Sequence, residues 1–253
     1  MKDAAKKIVI CATHRSGSTM VCDDLTGSGV LGRANEHFVN WARHDVSEDY
    51  GERLAGILKR GTTPNGIFAV KVMADQVRMV DARLRGIVAA DSGAGAFPHF
   101  IGWCHDATWV YVVRRDSVRQ AISNLAARKT GIFHRIRTRA GFVPGRARRF
   151  PRALGSDLPY ADLLAEIDQV TRANLFWRSF FERNRIEPIE LVYEEIAVAD
   201  RRDYLRRIAA SCGITELPAL PERNLQKLSG PENDSIYRNF MDTLPKPYGE
   251  RRR

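Results

Sequence analysis

The run from Ile8 through Ala12 into Thr13, His14, Arg15, Ser16, Gly17, Ser18, Thr19 and Met20 confines this chain to few folds. Five consecutive apolar residues are too few for a helix face but suit a strand buried on both sides, a pattern of parallel sheets covered by helices. The small polar residues that follow, ahead of apolar Val21 to Leu25, predict a tight turn opening a helix. Such a turn presents unpaired backbone N–H groups and the positive end of the helix dipole, which together favour an anion. Ser16, Ser18 and Thr19 add hydroxyl donors, and Gly17 lets the backbone come close to a ligand. The expected ligand is a phosphate, although the same residues also suit an ordinary N-cap.

Further along, apolar strands alternate with helical periodicity. Ile67 to Met73, Thr108 to Val113 and Pro188 to Tyr193 read as strands. Glu48 to Arg60, Gln76 to Ala89, Val118 to Leu125, Leu158 to Arg183, Arg201 to Ser211 and Ser235 to Met241 read as helices. This alternation predicts an α/β three-layer fold, P-loop-like, with a mainly parallel central sheet flanked by helices. At 253 residues and 44% hydrophobic content the whole chain, 1–253, is expected to form one domain. Ligands of such folds bind at the carboxyl ends of the strands, where Arg15, Lys71 and Arg114 all fall.

The turn departs from the nucleoside triphosphatase loop G-x-x-x-x-G-K-[ST], in which a Lys reaches the outer phosphates and the next hydroxyl holds magnesium. Here the cation, Arg15, comes early and no Lys follows Gly17. The strand Thr108 to Val113 ends in Arg114 and Arg115 and not in a metal-holding Asp, so an anion neutralised without a metal is expected. A second strand-to-helix corner, Arg114 to Ser117, has Ser123 further along its helix, and two corners armed with Arg and Ser suit a ligand with phosphates at separate ends. Lys71 interrupts an apolar strand and either meets an anion or snorkels to the strand end. Glu36 lies on the connection leaving the first strand and helix, as a functional carboxylate or a solvated one.

The formal net charge of +10 is compatible with nucleic acid, anionic lipid or a highly charged small ligand. Much of the excess lies between Arg135 and Arg152, where Gly141, Pro144, Gly145 and Pro151 predict a loop and not a basic helix. Its aromatic residues are only Phe142 and Phe150, too few for a series of stacking platforms, so nucleic acid is not the expected partner. The four cysteines show neither metal spacing nor a paired framework and read as reduced thiols in the cytoplasm. The apolar run near the N-terminus is too short for a signal peptide, and no segment is long enough to span a membrane.

In order and spacing, Arg15 to Thr19, Gly32 with Glu36 and Phe38, Thr63 to Gly66 with Lys71 and Met73, Arg114 with Asp116, Gln120 and Ser123, and Glu187 to Ile189 with Tyr193 resemble one group. It is the bacterial trehalose 2-sulfotransferase family, within the sulfotransferases that use 3′-phosphoadenosine 5′-phosphosulfate (PAPS). The resemblance implies that Arg15, Ser16, Gly17, Ser18 and Thr19 hold the 5′-phosphosulfate, that Arg114 and Ser123 hold the 3′-phosphate, and that Glu36 is the general base. It also implies catalysis aided by Arg15, an acceptor contacted by Glu36 and Lys71, a carbohydrate (trehalose-like) or glycolipid acceptor, no metal, and a homodimer. Ala34 stands where the family usually has Pro, Ala74 and Phe133 where it has Trp, and Ile236 where it has Trp. The nucleotide half thus matches more fully than the acceptor half. The competing readings are a nucleotide kinase or triphosphatase, and a non-catalytic basic binding protein that uses the Arg135 to Arg152 segment.

Overall fold

Why the first apolar run becomes the centre of the sheet follows from its burial: Ile8, Val9, Ile10, Cys11 and Ala12 are fully shielded from solvent in the computed structural model. The structure describes residues 6–43, 49–133, 135–138, 141–144, 158–197, 202–223, 225–226 and 230–244. In chain order the elements are β1 (Lys6–Ala12), α1 (Ser18–Gly27), α2 (Tyr50–Gly61), β2 (Ile67–Met73), α3 (Val77–Leu84), α4 (Pro98–Trp103), β3 (Thr108–Val113) and α5 (Ser117–Thr130). They continue with β4 (Arg135–Thr138), β5 (Gly141–Pro144), α6 (Tyr160–Arg183), β6 (Ile189–Val192), α7 (Tyr193–Ile196), α8 (Tyr204–Ser211), β7 (Leu225–Gln226) and α9 (Pro231–Thr243). The chain divides into two compact units, Met1–Arg115 with Thr171–Asn224, and Asp116–Val170 with Leu225–Arg253.

The first unit holds a four-stranded, all-parallel sheet in the order β2-β1-β3-β6. Alternation along the strands sends side chains to both faces. Val9, Cys11, Val70, Val72, Tyr111 and Val113 meet α2, α3, α4 and the Trp177, Phe180 and Phe181 of α6. Ile8, Ile10, Ala69, Val110 and Val112 meet Val21 and Leu25 of α1 and Leu205 and Ile208 of α8. The result is the expected α/β three-layer arrangement, and each fully buried aliphatic side chain contributes about 1.5–3 kcal/mol. From β1 the chain moves to β2 on one side and then to β3 on the other. The order therefore reverses at the carboxyl end of β1, the place where parallel sheets leave a crevice for ligands.

Close backbone approach fixes the segment that carries Glu36. Gly32 has φ 79°, and a Cβ there would lie 2.5 Å from the backbone nitrogen of Ala69. That contact lets the chain run along β2, where the Lys71 N–H donates to the Asn35 carbonyl at 2.9 Å. Helix α1 is anchored at its far end by Asp24, which is 3% exposed. Its carboxylate accepts from Arg223 Nη2 at 2.8 Å and Nε at 3.0 Å, and from the Tyr204 hydroxyl, and lies 3.5 Å from Arg202 Nε.

In the second unit Ala121 and Ile122 of α5, Leu163 of α6, and Ile236 and Phe240 of α9 form a separate apolar core. Strands β5, β4 and β7 pair antiparallel in that order. This corrects the reading of the Arg-rich segment as a loop: Arg135–Thr138 and Gly141–Pro144 are strands. Pro144 is tolerated because β5 is an edge strand among the described residues, with β4 as its neighbour. Residues 139–140 and 145–157, with the remaining arginines of that run, lie outside the described residues, as do Lys227 and the C-terminal arginines. Helix α3 stops at Leu84 and does not reach Ala89, since Gly86 turns the chain at φ 90°. The six-residue α4 escaped the periodicity reading because it is too short to show a repeat, although Pro98 marks its first turn.

Replacing Asp24 by Ala would leave two guanidiniums and a phenol around a buried gap. Urea denaturation should show a loss of about 3–5 kcal/mol, the cost of breaking a buried charge network by removing one partner.

Candidate functional site

The turn after β1 differs from the start of α2. Helix α2 is capped by Asp49, which accepts from the N–H groups of Gly51 and Glu52. Helix α1 begins at Gly17, φ 92°, with no side-chain cap and no acidic residue in its first turn. Its leading N–H groups, which have no acceptor within the helix, and its positive dipole end are therefore not compensated by the capping residue. The Ser16 hydroxyl oxygen is buried and has no hydrogen-bond partner among the described residues. Since buried polar atoms are almost always paired, it fits an external acceptor. The phosphate-loop expectation thus gains an observation that an ordinary N-cap does not provide.

Arg15 has φ 62°, in the left-handed region rare for a residue with a side chain. That conformation sets the side chain within the field of Arg114, which stands just past the end of β3. Burial lowers the pKa of the Arg15 guanidinium, the charge of Arg114 lowers it further, and Tyr193 pulls the other way. Tyr193 links the two corners. Its ring lies 4.7 Å from the Arg114 guanidinium carbon, and a Cβ on Gly17 would come within 2.4 Å of its Cδ2. Glu194, the next residue, lies 3.9 Å from Arg114 Nε and accepts from the Arg115 N–H at 3.1 Å. The two guanidiniums face one corner of the sheet, and an anion between them would relieve their repulsion.

Lys71, 6% exposed, is not snorkelling. Its ammonium lies 2.8 Å from Glu36 Oε1 and donates to Thr19 Oγ1 at 3.3 Å. A carboxylate from the loop after α1, an ammonium from β2 and a hydroxyl from the first turn of α1 therefore form one cluster. Glu36 is 31% exposed at its side chain, so the carboxylate is held yet reachable.

The structure brings Arg15, Ser16, Gly17, Ser18, Thr19, Glu36, Lys71 and Arg114 to the carboxyl end of the sheet. Ser123 sits on α5 in the second unit, half-buried. Tyr193 was matched in the sequence without a role; only its contact with Gly17 reveals one. The cluster around Asp24 was missed as well, and its signal was a carboxylate on the apolar face of a helix. No group of three or more His, Cys, Asp or Glu among the described residues is disposed to hold a metal ion. No helix among them is long and apolar enough to cross a membrane.

The model of the Stf0 sulphotransferase family matches residues 7–240 of this chain. Trehalose 2-sulfotransferase of Mycobacterium tuberculosis is 24% identical over 225 residues, 76% of this chain and 79% of that protein. The protein of the same name from Mycolicibacterium smegmatis is 24% identical over 226 residues, with the same coverage. A solved sulfotransferase domain from the curacin biosynthetic pathway overlays with a TM-score of 0.45 at 14% identity, covering 97% of this chain and 94% of that one.

Gly17→Ala would combine a strained φ with a collision against Tyr193, and its unfolding free energy should fall by at least about 1 kcal/mol. In a double-mutant cycle with Tyr193→Ala the combined loss should be smaller than the sum of the two, by about 0.5–3 kcal/mol, because removing the ring removes the collision.

Proposed function

Because this chain belongs to the Stf0 sulphotransferase family and is a sulfotransferase, we propose that it transfers a sulfuryl group from PAPS to a hydroxyl of a trehalose-like carbohydrate or a glycolipid. The observation that carries the reading is the facing pair Arg15 and Arg114 beside an uncompensated helix start, with the Glu36 carboxylate held at the same loop by Lys71. The residues fit the donor. The buried Ser16 hydroxyl needs an acceptor and Gly17 opens the backbone to one. When bound, the donor supplies an activated sulfur–oxygen bond.

Arg15, the α1 amides and the hydroxyls of Ser16, Ser18 and Thr19 hold the 5′-phosphosulfate end in this reading. Arg114 takes the 3′-phosphate, and Ser123 joins it on the strength of the family resemblance alone. Glu36 accepts the proton of the attacking hydroxyl as the new oxygen–sulfur bond forms, a role worth about 10²–10⁴-fold. Arg15 and the amides receive the charge left on the phosphate oxygen when its bond to sulfur breaks. Lys71 lies close enough to Glu36 to contact the acceptor. The carbohydrate acceptor is proposed from the names of the two mycobacterial relatives. Ala74, at the end of β2 where the family usually carries Trp, leaves a smaller wall and room for a different or bulkier sugar. A homodimer follows from the same resemblance. The four cysteines are buried and unpaired, which supports a reducing, cytoplasmic setting.

Adenosine 3′,5′-bisphosphate should raise Tm, with about 2.7 kcal/mol of stabilisation at 100 times its dissociation constant, while ATP with magnesium should do much less. Arg15→Ala should abolish that shift. With trehalose and related sugars as acceptors, Glu36→Gln should cut transfer by at least about 100-fold while leaving the bisphosphate shift near wild type. Equal loss of both would place Glu36 in the architecture and not in the chemistry.

A further inference from the structure

A general base has to be unprotonated and aimed before the acceptor arrives, and the surroundings of Glu36 contain a device for both. We propose that Lys71 is a positioning residue that keeps Glu36 ionised and ties it to the anion-binding turn through Thr19. The inference rests on the reading of Glu36 as the base and adds to it a residue that sets the pH at which that base works.

Three observations carry the assignment. Lys71 lies in a strand whose every residue is buried, so its ammonium requires a counter-charge, and Glu36 Oε1 at 2.8 Å supplies it. The same ammonium donates to Thr19 Oγ1 at 3.3 Å, which leaves the carboxylate one cation away from the helix start that receives the anion. Neither end of this bridge drifts freely. The backbone beside Glu36 is bonded to the Lys71 N–H through the Asn35 carbonyl, and the Glu36 N–H donates to Asn35 Oδ1 at 2.8 Å.

Other titratable groups near the pair do not replace it. Cys22 and Asp23 approach from α1. The Cys22 thiol is pushed up to about 11, chiefly by burial, with Lys71 drawing it down and Glu36 and Asp23 raising it. Cys22 is therefore neutral at physiological pH, and Asp23 adds negative charge that would favour protonation of Glu36. His37, on the same segment, turns its Nε2 to the Arg33 carbonyl. Lys71 is a cation in direct contact with the carboxylate, at 2.8 Å.

The sign of the effect follows. An opposite charge in contact favours the ionised carboxylate, so Glu36 holds its proton less tightly with Lys71 present than without it. When Glu36 takes the acceptor proton its charge is lost, and the ammonium is left facing the loop where negative charge builds on the departing phosphate. Proton removal and charge build-up are in this way balanced by one side chain.

The test reads the titration directly and needs no acceptor. In protein labelled with ¹³C at glutamate Cδ, the Glu36 signal is identified by its loss in Glu36→Gln. Its midpoint should rise by at least about one pH unit in Lys71→Gln and stay close to wild type in Lys71→Arg. An unchanged midpoint in Lys71→Gln overturns the proposal. If Lys71→Gln does not fold, the same Glu36 signal is read in Lys71→Met, which keeps the apolar stem of the side chain, and an unmoved Glu36 midpoint there again overturns the proposal. A Glu36→Gln variant that still transferred sulfate would instead refute the base reading, whatever the titrations showed.

Discussion

Two guanidiniums crowded into one partly buried corner are the constraint around which this sequence is organised. The charge of Arg114 acts on the guanidinium of Arg15, and Glu194, 3.9 Å from Arg114 Nε, offsets part of that positive charge and leaves room for an anion to offset the rest. A fold retains such a corner only if surrounding structure holds it in place. The holding parts are visible: a left-handed Arg15, a left-handed Gly17 against the ring of Tyr193, and the same ring beneath Arg114. Tyr193 is thus a spacer between the Gly17 turn and Arg114. Its place at the end of β6 explains why the fourth strand matters to a site built mainly on β1 and β3.

The remaining elements can be understood as supports for that corner. Asp24 pins the far end of α1 to Tyr204 and Arg223, which holds the helix that follows the Arg15 turn. Trp177 donates to the Ala12 carbonyl at 2.9 Å, fixing the residue from which the turn departs. Gly32 brings the Glu36 segment against β2, where Lys71 waits with a buried charge. Each contact is made at the carboxyl end of the sheet or acts on an element that begins there. Stability and function share the same residues here, so the loop tolerates little change even at positions that touch no ligand.

Membership of the sulfotransferase family agrees with this economy. Sulfuryl transfer asks a protein for little covalent chemistry. It needs a firm grip on a doubly anionic donor, a base for one proton, and donors aimed at the oxygen where charge appears. In the proposed function the grip is built from backbone geometry and arginines, the base is a carboxylate held by an ammonium, and a few positions around Ala34 and Ala74 would carry variation among acceptors.

Much of the fold was legible in the amino-acid order. Runs such as Ile8 to Ala12 and Ile67 to Met73 have no polar face, and only strands covered on both sides can hold them, so a parallel sheet between helices followed. The small polar turn into α1 was equally plain, since residue type alone sets its dihedral freedom and its donors. Arg135–Thr138 and Gly141–Pro144 were misread because Gly and Pro mark chain reversals without saying whether strands lie between them. Lys71 could meet an anion or snorkel to the strand end, Glu36 could be functional or merely solvated, and the amino-acid order left both questions open. Tertiary structure brought the two together, as it decided that Tyr193 rests on Gly17 and that Arg15 faces Arg114. Those approaches depend on the strand order β2-β1-β3-β6 and on two left-handed residues. Hydrophobic periodicity fixes which side of a strand is buried, and carries no information about which strand lies beside it.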